Sequence, residues 1–138
     1  MKIVRSLAGS FLFWLVLWLG VSQPGLAGQD VTLGQKAMLQ AVMQRHIDRH
    51  LVDGVYLQVD FGTGAVRRLH PVAAHPTILG LEKNFVLCSD FRDDEGRLVN
   101  IDFYLAPARE TYIVFQTVVD NRAPLEALLK RGTAKMID

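Results

Sequence analysis

The spacing of apolar residues changes once along this chain, and this change constrains the fold more than any other sequence feature. Before Asp53-Gly54 the apolar residues recur roughly every three to four positions, which is typical of one buried face of a helix. From Val55 to Phe61 they alternate with polar residues, which is typical of a half-buried strand. The sequence therefore predicts a helix followed by strands, the α+β class.

The predicted helix has a sequence signal at each end. Thr32 and Gln35 form a capping box, in which the threonine caps a free amide and the glutamine side chain reaches back to the threonine. Gly54 supplies the stop, because glycine readily enters the left-handed conformation that ends many helices. We predict a helix over residues 33–52.

A turn at residues 93–96 predicts the register of a central hairpin. Its sequence, Asp-Asp-Glu-Gly, suits a type I turn followed by glycine in the left-handed conformation, which places Asp93 opposite Arg97. This register gathers apolar residues on one face, whereas a shift of one residue would mix them with aspartate and asparagine. The expected pairs on this face are Phe91–Val99, Ser89–Ile101, Leu87–Phe103 and Phe85–Leu105, continued into the last strand by Leu105–Ile113 and Phe103–Phe115.

The other segments complete a sheet and add a short second helix. We predict strands at residues 55–61, 65–69, 85–92, 97–105 and 111–119, and a helix at residues 125–131. Residues 70–84 contain two His-Pro pairs and are predicted as a long connection, of the kind that often has a function. One long N-terminal helix would pack on a curved antiparallel sheet of four to five strands. This arrangement resembles the cystatin-like and PepSY-like folds in topology, and the resemblance assigns no functional residue.

Residues 1–27 have the three parts of an export signal. Lys2 and Arg5 begin it, an apolar run of about 15 residues follows, and Pro24 precedes small residues that suit cleavage after Ala27. The run is shorter than the roughly 20 residues that span a bilayer as a helix. We therefore predict a cleaved signal peptide, a periplasmic or secreted protein, and a single α+β domain over residues 28–138. An uncleaved leader that anchors the chain in a membrane is the alternative.

The chain that would remain after cleavage is almost neutral. Loss of Lys2 and Arg5 reduces the 15 Lys and Arg residues to 13, against 14 Asp and Glu, so its formal charge is −1. The absence of basic runs argues against a nucleic-acid ligand, because such binding depends on neutralising phosphates. The single cysteine excludes a disulfide scaffold and a multi-cysteine zinc site. No serine or cysteine has a base at a recognisable spacing, so we do not expect an enzyme.

The face of the sheet turned away from the long helix is the first candidate site. It combines tyrosines with aspartates, and tyrosine is enriched at interfaces; a plain, partly exposed sheet face is the alternative. The predicted register places Asp102 opposite Cys88, where a carboxylate would raise the thiol pKa instead of activating the thiol. The predicted binding face consists of Tyr56, Asp60, Cys88, Asp90, Asp102, Tyr104 and Tyr112.

His46 and His50 are the second candidate site. They lie four residues apart, inside the apolar arc of the predicted helix, and this spacing lets two imidazoles reach one zinc or copper ion. The alternatives are two semi-buried structural histidines or a pH-sensitive contact.

Taken together, these observations predict an exported, non-enzymatic binding or accessory domain without a resident cofactor. Its partner would be a protein or a small ligand, and a second copy in a homodimer is compatible with the sequence. The leader would be its only contact with a membrane, and only if it is not cleaved. The alternative function is a periplasmic metal-binding or metal-sensing protein that uses His46 and His50.

Overall fold

The structure, a computed structural model, describes residues 31–137. It has the predicted α+β class, with an N-terminal helix, a curved antiparallel sheet and a short C-terminal helix. The predicted leader, residues 1–27, lies outside the described residues. Within the described part of the chain, neither helix is long and apolar enough to cross a membrane. The elements are α1 (Leu33–His50), β1 (Leu51–Val52), β2 (Val55–Val59), β3 (Val66–Leu81), β4 (Asn84–Arg92), β5 (Leu98–Ala108), β6 (Thr111–Val119), α2 (Ala123–Lys130) and β7 (Ala134–Ile137).

Helix α1 begins as predicted but ends earlier. The side chain of Thr32 accepts a hydrogen bond from the Gln35 amide at 3.2 Å. The helix ends at His50, because the next residues pair with β2 across a two-residue turn. Asp53 and Gly54 form that turn with φ angles of 50° and 79°. Two successive positive φ angles characterise the tight turns of β-hairpins, so Gly54 closes a hairpin and does not end the helix.

Within residues 31–137 the sheet has seven strands, more than the four to five predicted. Strands β1 to β6 lie in sequence order and pair antiparallel with their neighbours, and β7 returns to pair with β3. The sixteen-residue strand β3 is the centre of this arrangement. Strand β2 pairs with its residues 66–69, β4 with residues 70–81 and β7 with residues 78–81.

The predicted connection over residues 70–84 was wrong, because most of it is strand β3. Proline holds φ near the extended range, and the residue before proline also prefers an extended backbone, so two His-Pro pairs are compatible with a strand. The ladder to β4 shifts register between Pro71 and Ala73 and again between Ala74 and Ile78. These irregularities accommodate the missing proline N–H groups at positions where a regular ladder would need them.

The register of the central hairpin, β4–β5, is confirmed. Phe91 lies opposite Val99 and Leu87 lies opposite Phe103, as the turn chemistry predicts. Within the turn, the Gly96 amide donates to the Asp93 carbonyl at 2.9 Å, and Gly96 has a φ of 78°.

The predicted register between β5 and β6 was wrong by one residue. Leu105 lies opposite Val114 and not opposite Ile113, because a two-residue turn at Arg109-Glu110 closes this hairpin. A bulge after Tyr104 then shifts the pairing again, so that Phe103 lies opposite Thr117.

A shift of one residue exchanges the two faces of a strand, and β6 shows this exchange. Ile113 and Phe115 were expected beneath the helix, but both are half exposed. Tyr112 and Val114 occupy the helix side instead and pack against the core.

Two apolar cores lie on opposite faces of the sheet. We call the face that packs against α1 the helix face and its opposite the outer face. The larger core lies on the helix face and contains the buried residues Leu39, Met43, Ile47, Tyr56, Leu69, Phe91, Phe103 and Leu105. The smaller core lies on the outer face, between the sheet and α2, and consists of Leu79, Val86, Cys88, Tyr104, Leu125 and Ala134.

Candidate functional site

The structure divides the predicted binding face between the two sides of the sheet. Tyr56 is buried on the helix face with its ring 5.6 Å from that of Phe91, and Tyr112 accepts a hydrogen bond from the Gln35 side chain at 2.6 Å. The outer-face placement of these two tyrosines was therefore wrong. Asp60 follows β2, where its carboxylate caps the next turn through the Gly62 amide at 2.8 Å.

Cys88, Asp90, Asp102 and Tyr104 lie on the outer face, as predicted, but helix α2 lies over this region. Cys88 and Tyr104 are buried, and the side chain of Asp102 is only 1% exposed. Leu125 of α2 belongs to the same buried cluster. These positions therefore form an interface between the sheet and α2 and not an open surface.

A buried thiol and a buried carboxylate meet under the start of α2. The Cys88 thiol donates to Oδ1 of Asp102 at 2.9 Å. Arg122, the residue before α2, places Nη1 3.4 Å from the same oxygen and 3.8 Å from the sulfur. The guanidinium thus compensates the charge of Asp102 and holds the start of α2 on the sheet.

Hydrogen bonds extend this cluster toward the surface. Arg122 donates to Oδ1 of Asn100 at 2.8 Å, and the Asn100 amide donates to Asp90 at 3.1 Å. His75 donates to the other oxygen of Asp90 at 2.8 Å, and this hydrogen bond lowers the pKa of the Asp90 carboxyl. We call the set the polar network. Its members are His75, Asp90, Asn100, Arg122, Asp102 and Cys88.

Sequence reasoning missed three members of the polar network. Asn100 had a usable signal, because the predicted hairpin register already placed it opposite Asp90. His75 was assigned to a connection that is in fact part of β3. Arg122 had no signal, since its position depends on how α2 folds back over the sheet.

The polar network does not activate its thiol. Burial, together with the hydrogen bond to Asp102 and the charge of that carboxylate, raises the pKa of Cys88 to about 12. A nucleophilic cysteine must be a thiolate near neutral pH, so the arrangement opposes nucleophilic catalysis by Cys88. The predicted pairing of Cys88 with Asp102 is confirmed, and so is the direction of the shift.

His46 and His50 come together near the end of α1. Their rings stack at 4.1 Å between centroids, and Nδ1 of His50 donates to the His46 carbonyl at 2.6 Å. The His46 ring also meets the Phe103 ring at 5.9 Å. Burial first, and then the charge of His50, lower the pKa of His46. Among residues 31–137 no group of three or more His, Cys, Asp or Glu residues is arranged to hold a metal ion, so metal binding by this pair stays a prediction.

Strand β2 buries Val55 at its start but turns its next two apolar side chains outward. Leu57 and Val59 are exposed on the outer face, whereas Tyr56 and Gln58 point to the helix face. Val59 pairs with Val66 of β3, and their exposed fractions are 44% and 59%. Cross-strand partners share a face, so these residues form one apolar surface. We call it the hairpin patch. It consists of Val52, Leu57, Val59, Val66 and, in the turn after β2, Phe61, which is 95% exposed.

A charged cleft of about 520 Å³ adjoins the hairpin patch and shares Val66 with it. Ion pairs line the cleft: Arg67 meets Asp120 at 3.3 Å, and Arg68 meets Asp94 at 3.5 Å. The full lining is Asp60, Ala65, Val66, Arg67, Arg68, Asp93, Asp94, Glu95, Arg97, Leu98, Val99 and Asp120.

Comparison of the chain with protein-family models, curated proteins and solved structures finds no match.

Proposed function

We propose that this chain is an exported, non-enzymatic binding or accessory domain that binds a protein partner through the hairpin patch. The orientation of β2 carries this proposal. The strand has an alternating pattern whose apolar set would normally face the core, yet Leu57 and Val59 face outward. Between these two residues, Gln58 points to the helix face, and its buried Oε1 has no hydrogen-bond partner among the described residues.

This orientation is costly for an isolated domain. A buried polar atom without a hydrogen bond costs about 1–3 kcal/mol, and outward valine and leucine side chains forgo burial. Large exposed apolar patches on soluble proteins generally mark interaction sites. The hairpin patch also has the anatomy of an interface, since an apolar centre adjoins the ion pairs of the charged cleft.

Crosslinking in the living cell tests whether a partner covers the hairpin patch. A photoreactive residue at position 59 or 66 should give a discrete crosslinked species, because a partner would cover both positions. Met136 on β7 is the matched control, as it is exposed and apolar but lies outside the hairpin patch. Equal crosslinking at Met136, or none at either patch position, would contradict the proposal.

A conservative double variant tests the energetic role of the patch. Val59→Thr with Val66→Thr keeps the β-branched shape and removes apolar contact, so partner binding should weaken while the melting temperature changes little. Binding is measured with the partner isolated from the crosslinked species, and Met136→Thr is the control. Unchanged affinity in the double variant would refute docking through the patch.

Export is tested separately. The leader predicts that the protein recovered from the exported fraction begins at Gly28, because Ala27 suits signal-peptide cleavage. Intact mass measures this directly. A full-length chain found only in membranes would show that the leader is retained as an anchor.

A further inference from the structure

We infer that the partner presents a basic side chain flanked by apolar ones, with the basic group entering the charged cleft and its neighbours covering the hairpin patch. This inference rests on the proposed function, because it names the chemistry of the partner at the same surface. It commits to a protein segment that contains lysine or arginine.

The geometry joins the two surfaces. Val66 belongs to the hairpin patch and also lines the charged cleft. Leu98, another exposed apolar residue, lies elsewhere in the cleft lining. The cleft volume of about 520 Å³ lies in the range of roughly 300–1,000 Å³ that is usual for ligand sites. One extended segment can therefore place an apolar side chain on the patch and a longer polar one in the cleft.

The charge of the cleft selects the sign of that polar group. Its lining has five carboxylates and three guanidinium groups, so its formal charge is −2. The arginines are already neutralised: Arg67 pairs with Asp120, Arg68 with Asp94, and Arg97 with both Asp93 and Glu95.

Several carboxylates of the charged cleft can accept a further hydrogen bond. The contacts of Asp60, Glu95 and Asp120 with other described residues each use one of the two carboxylate oxygens. Glu95 and Asp120 are also mostly exposed, so an incoming ammonium or guanidinium can reach them. An acidic segment would be repelled by the carboxylates of the cleft, and such repulsion between like charges disfavours the wrong partner.

Two synthetic peptides test the inference without the natural partner. Both are acetylated and amidated, with alternating leucine and arginine in one and alternating leucine and glutamate in the other. Each is titrated into the protein from the exported fraction while backbone amide shifts are followed by NMR. The leucine–arginine peptide should shift the amides of Val59, Val66 and Asp120, and the leucine–glutamate peptide should bind at least about five-fold more weakly.

Charge-neutral variants locate the basic group. Asp120→Asn and Glu95→Gln should each weaken the leucine–arginine peptide about three- to five-fold at low salt, and the effect should shrink at high salt. Glu126→Gln, on the exposed surface of α2 and outside the cleft, is the matched control. Thermal melts of all three variants establish that they remain folded.

The outcomes separate this inference from the proposed function. Equal binding of both peptides, with loss only in the Val59→Thr, Val66→Thr variant, would overturn the charge preference and leave docking through the patch intact. Absence of any shift up to millimolar peptide would also overturn the inference, while the proposed function would still be decided by its own crosslinks. If the double variant keeps full affinity for its natural partner, both fail.

Discussion

The two hairpins β4–β5 and β2–β3 both combine apolar and polar residues, but they bury their apolar residues to different extents. In the central hairpin the apolar set, including Phe91 and Phe103, faces α1 and is completely buried. In the β2–β3 hairpin Tyr56 and Leu69 join the same core, but Leu57, Val59 and Val66 face outward. Alternation therefore predicts that a strand has two different faces, but it does not tell which face the rest of the chain will cover.

The central hairpin shows what full coverage on both faces requires. Phe103 and its neighbour Asp102 point in opposite directions, and both are almost inaccessible to solvent. Phe103 is buried by apolar contact beneath α1, which needs no particular direction. Asp102 needs the directed hydrogen bonds of Cys88 and the charge of Arg122. Among residues 31–137, the β2–β3 hairpin is covered by α1 on one side, and its other side carries the hairpin patch.

The largest predicted effect follows from removing the core of the central hairpin. Phe103→Ala should lower the free energy of unfolding by about 3–5 kcal/mol, because it removes a fully buried ring and leaves a cavity. Chemical denaturation measures the loss. Phe115→Ala on β6 is the matched control, since that ring is half exposed and should cost at most about 1 kcal/mol. Equal losses at the two positions would contradict the assignment of faces on β5 and β6.

The second prediction tests the outer face of the same hairpin. Asp102→Ala should cost about 2–3 kcal/mol, less than a fully buried ion pair, because the Arg122 side chain remains 39% exposed. Arg122→Ala should be destabilising for the converse reason, as it leaves a buried carboxylate without its counter-charge. In a double-mutant cycle the two losses should be less than additive, because both remove the same interaction. Strict additivity would show that the two side chains are not coupled.

Sequence reasoning succeeded where short-range chemistry and burial agreed. The turn at residues 93–96 and the apolar face of β4 and β5 predict the same register, and the structure has it. The N-terminal cap of α1 is a similar case, because Thr32 accepts from the Gln35 amide within one turn. The other half of the predicted capping box was wrong, since the Gln35 side chain donates to Tyr112. At these turns and helix ends, a few residues that are close in sequence determine the local conformation.

The failures have a common physical cause, which is dependence on distant parts of the chain. The two-residue turn at Arg109-Glu110 sets which face Ile113 presents, and the bulge beyond it depends on how β6 packs against β5. The orientation of β2 depends on where α1 lies, so alternation alone could not place Tyr56. The polar network needed α2 to fold back and bring Arg122 over Asp102. Each of these is decided by tertiary packing, which overrides local preference.

The smallest predicted effect concerns the end of α1, which contacts both hairpins. His46 meets Phe103 of the central hairpin, and His50 meets Tyr56 of β2 with centroids 6.3 Å apart. Since burial and His50 lower the pKa of His46, the folded state favours the neutral ring. Its contribution to stability is therefore complete above the unfolded value of about 6.5 and is lost as pH falls through the lowered folded value. The Asp90 carboxyl responds in a different pH interval, because its lowered pKa confines the loss of its own contribution to pH values below about 4.

Thermal melts between pH 8 and pH 5 separate these two responses. The protein should lose stability over this interval, and His46→Gln, whose side chain does not titrate, should remove most of that loss. Phe115→Ala is the control, since it changes no titratable group and its effect should be the same at both ends of the interval. Zinc or copper added at pH 8 tests the alternative function of the same pair. A rise in melting temperature that is abolished by either His46→Gln or His50→Gln would favour the metal site, because two-point chelation needs both imidazoles. No rise with either ion, together with the acid-dependent loss, would leave the pair as a structural contact between α1 and the two hairpins.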